Sequence, residues 1–436
     1  MSDATGLAEA MLGLEGFVVL GVREDPAELV ITIQTTADLV GCTGCGIRAE
    51  AQDRMSIEIR DLACFGRPTR LVWRKRRWRC REALCPVRTW TETSPAAMAR
   101  QLITWRAGLE ACRQVGELAR PVSTVAAEFG VCWWTVMNAV IEHGTRLVDD
   151  PDRVGMVTQL GIDETSFLAA NRDHHTIYVS SVVDLTSHTV IDMFPGNSAL
   201  DLRKWTARAA PEWLAGVEVV ATDLTDSYRA GLKPHLAHVT RVADPFHVVR
   251  VANRCLDKIR RRVQNDTLGH RGRKDDPLYR IRKIMLRGAE RLDETGVERM
   301  LLGLRAGDPN DEILGGWLAK ESVRDIYLTT DRAEAELLLD KAITGCATDP
   351  VAEIRSLGQT LAKWRTEILA YHHTGASNGP TEGLNLCLKK VKRCGHGFHR
   401  FEHYRLRVLL HTGGITWPTR PRPPQIRSRR TPHSDA

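Results

Sequence analysis

The chain has 436 residues, 43% hydrophobic content and a formal net charge of +7. At roughly 100–200 residues per domain, that length predicts two to four folded units with full cores, and the basic balance favours an anionic partner. The early acids Asp3, Glu9 and Glu15 and the lack of any long apolar run argue against a signal peptide or a membrane span, so a cytoplasmic chain with no membrane partner is expected.

Two short β-rich runs, 17–22 and 29–33, open the pattern, separated by Glu24-Asp25-Pro26. Two cysteine pairs follow, Cys42-x-x-Cys45 and Cys80-x4-Cys85, among eleven cysteines in all. Without an export signal these read as thiols and metal ligands rather than disulfides. Zinc takes four soft ligands in a tetrahedron, and two short-spaced pairs on turns supply them. Gly41, Gly44, Gly46 and Pro86 provide those turns, while Cys64 has no short-spaced partner and is left out. The alternative is buried, reduced cysteines without metal. These features predict a β-rich zinc-binding module over residues 1–95, holding a structural Zn²⁺. Between the pairs, Arg74, Lys75, Arg76 and Arg77 belong to a basic run interleaved with Trp73 and Trp78. That run reads as a phosphate-binding surface, or else as a solvated charged face.

From residue 104 to 148 the pattern is helical with a break at Gly130, and a helix-turn-helix domain is expected over 100–150. Val125, Ala126, Phe129, Val136 and Ala139 are apolar or small where two crossing helices touch, and Gly130 stands where the turn needs positive φ. A second helix starting near Trp133 would turn Trp133, Trp134 and Asn138 toward a major groove. An ordinary helical hairpin remains the alternative.

Strands are predicted at 157–163, 176–185, 188–194, 217–223 and 239–243, with helices at 202–210 and from about Asp226. After Phe246 the chain reads as helical for more than a hundred residues, followed by a loop at 375–379 and a helix beginning near Pro380. Residues 416–436 form a Pro- and Arg-rich basic tail with the composition of a disordered segment.

Three carboxylates stand at informative places in this pattern. Asp163 and Asp223 are expected at strand ends, and Glu382 in the first turn of the last predicted helix. On that helix Leu384, Cys387, Leu388 and Val391 form an apolar face, with Glu382, Asn385, Lys389 and Arg393 opposite. Gathered acids repel one another unless a cation joins them. Two Mg²⁺ ions about 4 Å apart serve in-line displacement at phosphorus, and such hard ions need few protein oxygens. Each acid alone would more often be a surface carboxylate or a cap. Asp226 reads as a helix N-cap, and Glu164 as facing away from Asp163.

The order of cysteine pairs, bihelical segment, Gly161-Ile-Asp-Glu164, strand-Asp223, Asp244-Pro-Phe-His247 and Ser377-Asn-Gly-x-x-Glu382-Gly-x-Asn385 resembles bacterial insertion-sequence transposases of the ISL-three family. The resemblance runs from about Gly41 to His411. It implies a multidomain α+β and α/β chain: zinc module, helix-turn-helix, and an RNase H-like catalytic core at 154–264 and 373–415, interrupted by a helical insertion at 265–372. It also implies a DDE triad of Asp163, Asp223 and Glu382 holding two Mg²⁺ or Mn²⁺ ions, with Asp244 and His247 as a site element or support. Asn385, Lys389, Lys392 and Arg393 would then contact DNA. The expected function is metal-dependent cleavage and strand transfer at terminal inverted repeats of double-stranded DNA, by a homodimer or larger assembly associated with the nucleoid. Two rivals stand beside it: a non-catalytic DNA-binding regulator derived from a transposase, and a nuclease that cuts without joining.

Overall fold

A computed structural model describes residues 2–37 and 39–418, so most of the tail expected to be disordered lies outside the described residues. Two compact units divide the chain: 1–153 with 394–396 and 414–436, and 154–393 with 397–413.

The first unit begins with α1 (Ser2–Leu12), followed by β1 (Phe17–Glu24), β2 (Leu29–Thr35), β3 (Glu50–Cys64), β4 (Arg67–Arg79) and β5 (Thr89–Thr91). The sheet order is β1-β2-β4-β3, with β5 also paired to β4. Alternation buries Phe17, Val19, Ile31, Ile33, Ile59, Leu71 and Trp73 in one cluster, the period-two pattern of a sheet with one covered face. Three helices follow: α2 (Trp105–Gly116), α3 (Val122–Phe129) and α4 (Trp133–Val148). Thr104 caps α2 by accepting from the Ala107 amide, and its hydroxyl donates to buried Asp61 on β3 at 2.6 Å. The sequence pattern showed the break at Gly130 but not the one before α3, where Ala119 takes φ 54° ahead of Pro121. Gly130 ends α3 with φ 63°, and α3 and α4 cross at 108°.

The second unit holds a five-stranded sheet of β6 (Gln159–Leu168), β7 (Ile177–Asp184), β8 (Thr189–Pro195), β9 (Val219–Thr222) and β10 (Thr240–Ala243), ordered β10-β9-β6-β7-β8. β6, β7 and β8 form an antiparallel meander, while β9 and β10 run parallel to β6. The connections into the parallel strands carry α5 (Ala199–Thr206), α6 (Pro211–Ala215) and α7 (Asp226–Leu232), as parallel pairing requires. Trp205, Leu202, Tyr228 and Leu232 from these helices bury against Leu160, Ile162 and Val220 of the sheet.

After β10 come α8 (Pro245–Leu268), α9 (Pro277–Met285), α10 (Glu294–Gly307), α11 (Glu312–Asp325), α12 (Arg332–Ala347), α13 (Ala352–Lys363) and α14 (Arg365–Thr374). Val248, Ala252, Leu256, Ile259 and Val263 recur at helical spacing on α8 and anchor a core shared with α9 to α14. α15 (Gly379–Cys394) and α16 (Phe401–Thr412) return to the sheet, where Tyr404 donates to the Leu388 carbonyl at 3.2 Å. Among the described residues no single helix is long and apolar enough to cross a membrane.

Candidate active site

In the second unit Asp163, Asp223 and Glu382 line one open cleft of about 540 Å³, together with Glu164, His247, Arg250 and Lys389. The three acids reach it by different routes. Asp223 directly follows β9 and Asp244 directly follows β10, two parallel neighbours whose C-terminal ends open at one edge. Asp163 differs from its expected place, because β6 continues to Leu168 and leaves it in mid-strand, paired with Ser181. Glu382 rides the first turn of α15.

A buried hydrogen-bond chain ties these elements together. Asp244 accepts from the Asn378 amide at 2.8 Å and caps α8 through the His247 amide. Asn378 donates to the Ile162 carbonyl beside Asp163 at 3.3 Å. Gly161 makes this approach feasible: a Cβ there would meet Thr381 Oγ1 at 2.2 Å and Asn378 Oδ1 at 2.6 Å. His247 faces Asp223 through Nδ1 and Glu382 through Nε2, the latter at 3.2 Å.

The electrostatics are those of crowded acids. Burial, reinforced by the charge of Asp223, pushes the Asp163 carboxyl up to about 7. Burial likewise raises Asp244. Burial pulls His247 down, but the hydrogen bond and charge of Asp223, with Asp244 and Asp163, outweigh it and raise the imidazole. Asp244, His247 and Glu382 also offer ligand atoms within 4.8 Å of one another. With one ring nitrogen among carboxylate oxygens, such a cluster suits a divalent cation, whose charge would relieve the repulsion.

Several residues depart from their expected surroundings. Asn385 is only 6% exposed, and its amide donates to Asp163 Oδ2 at 2.6 Å. It therefore lies on the inner side of α15 with Leu388 and Val391, because buried Asp163 gives its polar group a partner. Lys389 and Arg393 are exposed, and Lys392 donates to the Ser166 carbonyl at 2.9 Å. Glu164 lines the same cleft as Asp163, its tip held by the Tyr228 hydroxyl at 2.9 Å. Asp226 is the first residue of α7 after the cap Thr225, and pairs with Lys363 at 2.6 Å. Arg250, which the motifs did not single out, lies one helical turn beyond His247 on α8.

In the first unit Cys42, Cys45, Cys80 and Cys85 place their sulfurs within 4.8 Å of one another. Cys42 and Cys85 are 3.7 Å apart, and Cys45 and Cys80 3.5 Å. The Gly44 amide, donating to Cys42 at 3.4 Å, helps bring that thiol down to about 7, while burial pushes Cys80 up to about 12. Cys64 stands outside the cluster.

The basic run on β4 is divided by burial. Arg74 and Arg77 are exposed, but Lys75 is turned inward at 7% exposure, its ammonium 4.2 Å from the Trp73 ring. Lys75 is thus removed from the expected charged surface, because it shares the core-facing side of β4 with Leu71 and Trp73. Arg76 is buried, donating to the carbonyls of Thr35 and Ala37. On α4, Trp133 and Trp134 are 40% and 55% exposed, edge to face at 4.8 Å, and Asn138 is exposed beside them.

Two family profiles match the chain. One, described as a transposase of the ISL3 (ISL-three) DDE type, covers residues 160–408. The other, the zinc-finger of transposases IS204/IS1001/IS1096/IS1165, covers residues 38–85. The chain is 26% identical over 412 residues to the transposase for insertion sequence element IS1001 of Bordetella parapertussis, spanning 92% of this chain and 97% of that protein. It is also 26% identical over 317 residues to the transposase for insertion sequence element IS1557 of Mycobacterium tuberculosis, spanning 68% of this chain and 70% of that protein. Since the transposase profile covers more than half of its length, the chain belongs to the ISL3 family of DDE transposases.

Proposed function

We propose that this transposase binds the terminal inverted repeats of an insertion sequence and cuts and joins DNA at the cleft of Asp163, Asp223 and Glu382. The observation that carries the reading is the convergence of those three acids, distant in sequence, on one open cleft. The strand order supports an RNase H-like core: an antiparallel meander, then two strands parallel to its first.

Asp163, Asp223 and Glu382 would hold two Mg²⁺ or Mn²⁺ ions, which supply Lewis-acid activation of the attacking oxygen and charge neutralisation at the leaving one. Water attacks phosphorus at the element end, the P–O3′ bond breaks, and a 3′-hydroxyl is freed. That hydroxyl then attacks a target phosphodiester, forming a new P–O bond and releasing a target 3′-hydroxyl. Asp244 and Asn378 hold the elements that carry the acids in register, and His247 supports Asp223 and Glu382. Arg250, Lys389, Lys392 and Arg393 bring positive charge to the approaching phosphates. No covalent protein–DNA intermediate is required.

The cysteine cluster is read as a structural zinc site. Tetrahedral Zn–S bonds of about 2.3 Å put sulfurs roughly 3.8 Å apart, close to the 3.7 and 3.5 Å separations here. The 108° crossing of α3 and α4 over Gly130 supports a helix-turn-helix. Trp133, Trp134 and Asn138 would enter a major groove, and Arg74 and Arg77 would meet the backbone, whereas buried Arg76 is turned to the carbonyls of Thr35 and Ala37. Two DNA ends handled together call for a homodimer or larger assembly.

The test is incubation of the zinc-loaded protein with Mg²⁺ or Mn²⁺ and a labelled duplex bearing the element's terminal repeat, beside Asp223→Asn. Metal-dependent cleavage and strand-transfer products, lost in the variant while binding persists, are expected. Binding by both proteins without cleavage would instead mark a regulator, and cleavage without joining a nuclease.

A further inference from the structure

The first unit contains a second cleft, larger than the acidic one and opposite to it in charge. It encloses about 640 Å³ between the N-terminal half of β3, β4 and the turns that carry the cysteines. Arg48, Arg54, Arg76 and Arg81 line it, against one acid, Glu50, already paired with Arg81 at 2.9 Å. Three features of this cleft are hard to reconcile with a merely solvated charged face.

Arg54 and Arg76 are direct cross-strand partners on β3 and β4. Two guanidinium groups from neighbouring strands are thereby brought to one cleft. Arg76 cannot swing away, because it is buried and bonded to the Thr35 carbonyl at 3.0 Å. The second feature is Trp78, which lines the same cleft at 3% exposure with an indole N–H that has no hydrogen-bond partner. A buried unmet donor is costly in the absence of a ligand. The third is origin: Arg48 lies three residues after Cys45, and Arg81 directly after Cys80. The cysteine cluster therefore fixes two of the four guanidinium stems at the mouth.

Guanidinium forks and an indole N–H converging on one cleft complement a phosphate, which accepts bidentate donors. We infer that this cleft is an anion subsite that seats phosphates of the duplex DNA backbone, with Arg48, Arg54, Arg81 and the Trp78 N–H as donors. The inference rests on the reading of the chain as a DNA-binding transposase. It goes beyond that reading by shifting the phosphate contact from the linear basic run on β4 to a concave site that includes residues outside it. Backbone contacts position without reading sequence, so the site contributes affinity and register rather than recognition of the repeat.

The experiment uses the full-length, zinc-loaded protein and fluorescence anisotropy over a sodium chloride series. The probes are a labelled duplex bearing the terminal repeat and an unrelated duplex of equal length. Arg48→Gln with Arg54→Gln is expected to weaken both duplexes by similar factors, about tenfold near 0.1 M salt. It should also shrink the slope of log affinity against log salt by about 1.8, at roughly 0.9 per lost phosphate contact. Trp78→Phe keeps an aromatic six-membered ring and removes the N–H donor together with the pyrrole ring. With zinc content and circular dichroism unchanged, it should weaken both duplexes by about threefold, within the range of one lost hydrogen bond.

An unchanged salt slope in the double variant overturns the inference while leaving the transposase reading intact. Wild-type protein that binds neither duplex sinks that reading, and the inference falls with it. Inorganic phosphate that binds the cleft at millimolar concentration without displacing either duplex would identify a free-anion site and overturn the assignment to DNA.

Discussion

The two clusters of metal-ready side chains in this transposase are built on opposite principles. The cysteine cluster is local and closed: its sulfurs come from two turns, and Cys42 and Cys85 are 43 positions apart. The acidic cleft is dispersed and open: its buried bond from Asn385 to Asp163 spans 222 positions. A local cluster depends on two tight turns that its own residues specify. A dispersed one depends on strand pairing, helix rotation and a long helical excursion all arriving correctly. The first should therefore behave as a folding determinant and the second as a device that the fold supports.

The largest expected effect separates them directly. Structural zinc contributes on the order of 10–16 kcal/mol in isolated zinc fingers. Stripping zinc, or Cys42→Ser, should cost hydrogen-exchange protection across β3, β4 and β5 and abolish tight duplex binding, and added zinc should restore both in the stripped wild type but not in the variant. Removal of Mg²⁺ should stop the chemistry while leaving protection unchanged in both units. Protection that survives zinc removal would sink the contrast.

Asp163→Asn addresses the open site. Burial and Asp223 raise the Asp163 carboxyl to about 7. Without metal, the folded protein keeps a proton on Asp163 between about pH 4 and 7 that the unfolded chain has released. This residue's contribution to stability therefore falls as pH rises through that window, and its full cost is present above pH 7. The metal-free variant should gain thermal stability relative to wild type as pH rises from 5 to 8, and Mg²⁺ should erase that gain by stabilising only the wild type. Cleavage should fall by at least about three orders of magnitude, near 4 kcal/mol of transition-state stabilisation. A variant less stable than wild type at pH 8 without metal would show that the crowded acids carry no strain.

What could be read from the chain follows the same division. The cysteine pairs, Gly130 and the β-rich runs are local signals, and each lies in the structure near its predicted place. For the cleft, motif and element type pointed to Asp163, Asp223 and Glu382, yet Glu164, Arg250 and the true orientation of Asn385 were not visible. A helical wheel sorts residues by polarity, so it put Asn385 outside with Lys389. The deciding fact is a buried carboxylate on a remote strand, which no wheel contains. Lys75 was misplaced for a related reason. A run of basic residues looks uniform in sequence, whereas β4 buries some members and exposes others.

Asn385→Ala sharpens that point with a smaller effect. If Asn385 orients Asp163, its loss should lower turnover by about 10–100-fold, the usual range for partners of metal-ligating groups. The metal concentration needed for half-maximal rate should rise while duplex affinity and its salt slope stay put. A DNA contact predicts the reverse: weaker binding and unaltered metal dependence. Asn385→Asp, which restores an acceptor but no donor beside Asp163, should rescue nothing.

The smallest expected effect tests the local end of the comparison. Gly130 holds φ 63° at the end of α3, and its amide donates to the carbonyls of Ala126 and Ala127. An L-residue in that region costs about 1–2 kcal/mol, and a Cβ there would meet the Arg60 guanidinium at 3.1 Å. Because the contact at 3.1 Å is with the guanidinium end of a side chain and not with backbone, strain rather than collision should dominate. Gly130→Ala should lower the melting temperature of the first unit by roughly 2–8 °C, at 2–4 °C per kcal/mol in a domain of this size. Gly130→Asn, better tolerated in the left-handed region, should lose less. Both variants should keep zinc and the chemistry of the acidic cleft, since the turn serves only the crossing of α3 and α4. Equal losses in Ala and Asn would mean that space beside Arg60, and not backbone conformation, is what the glycine provides.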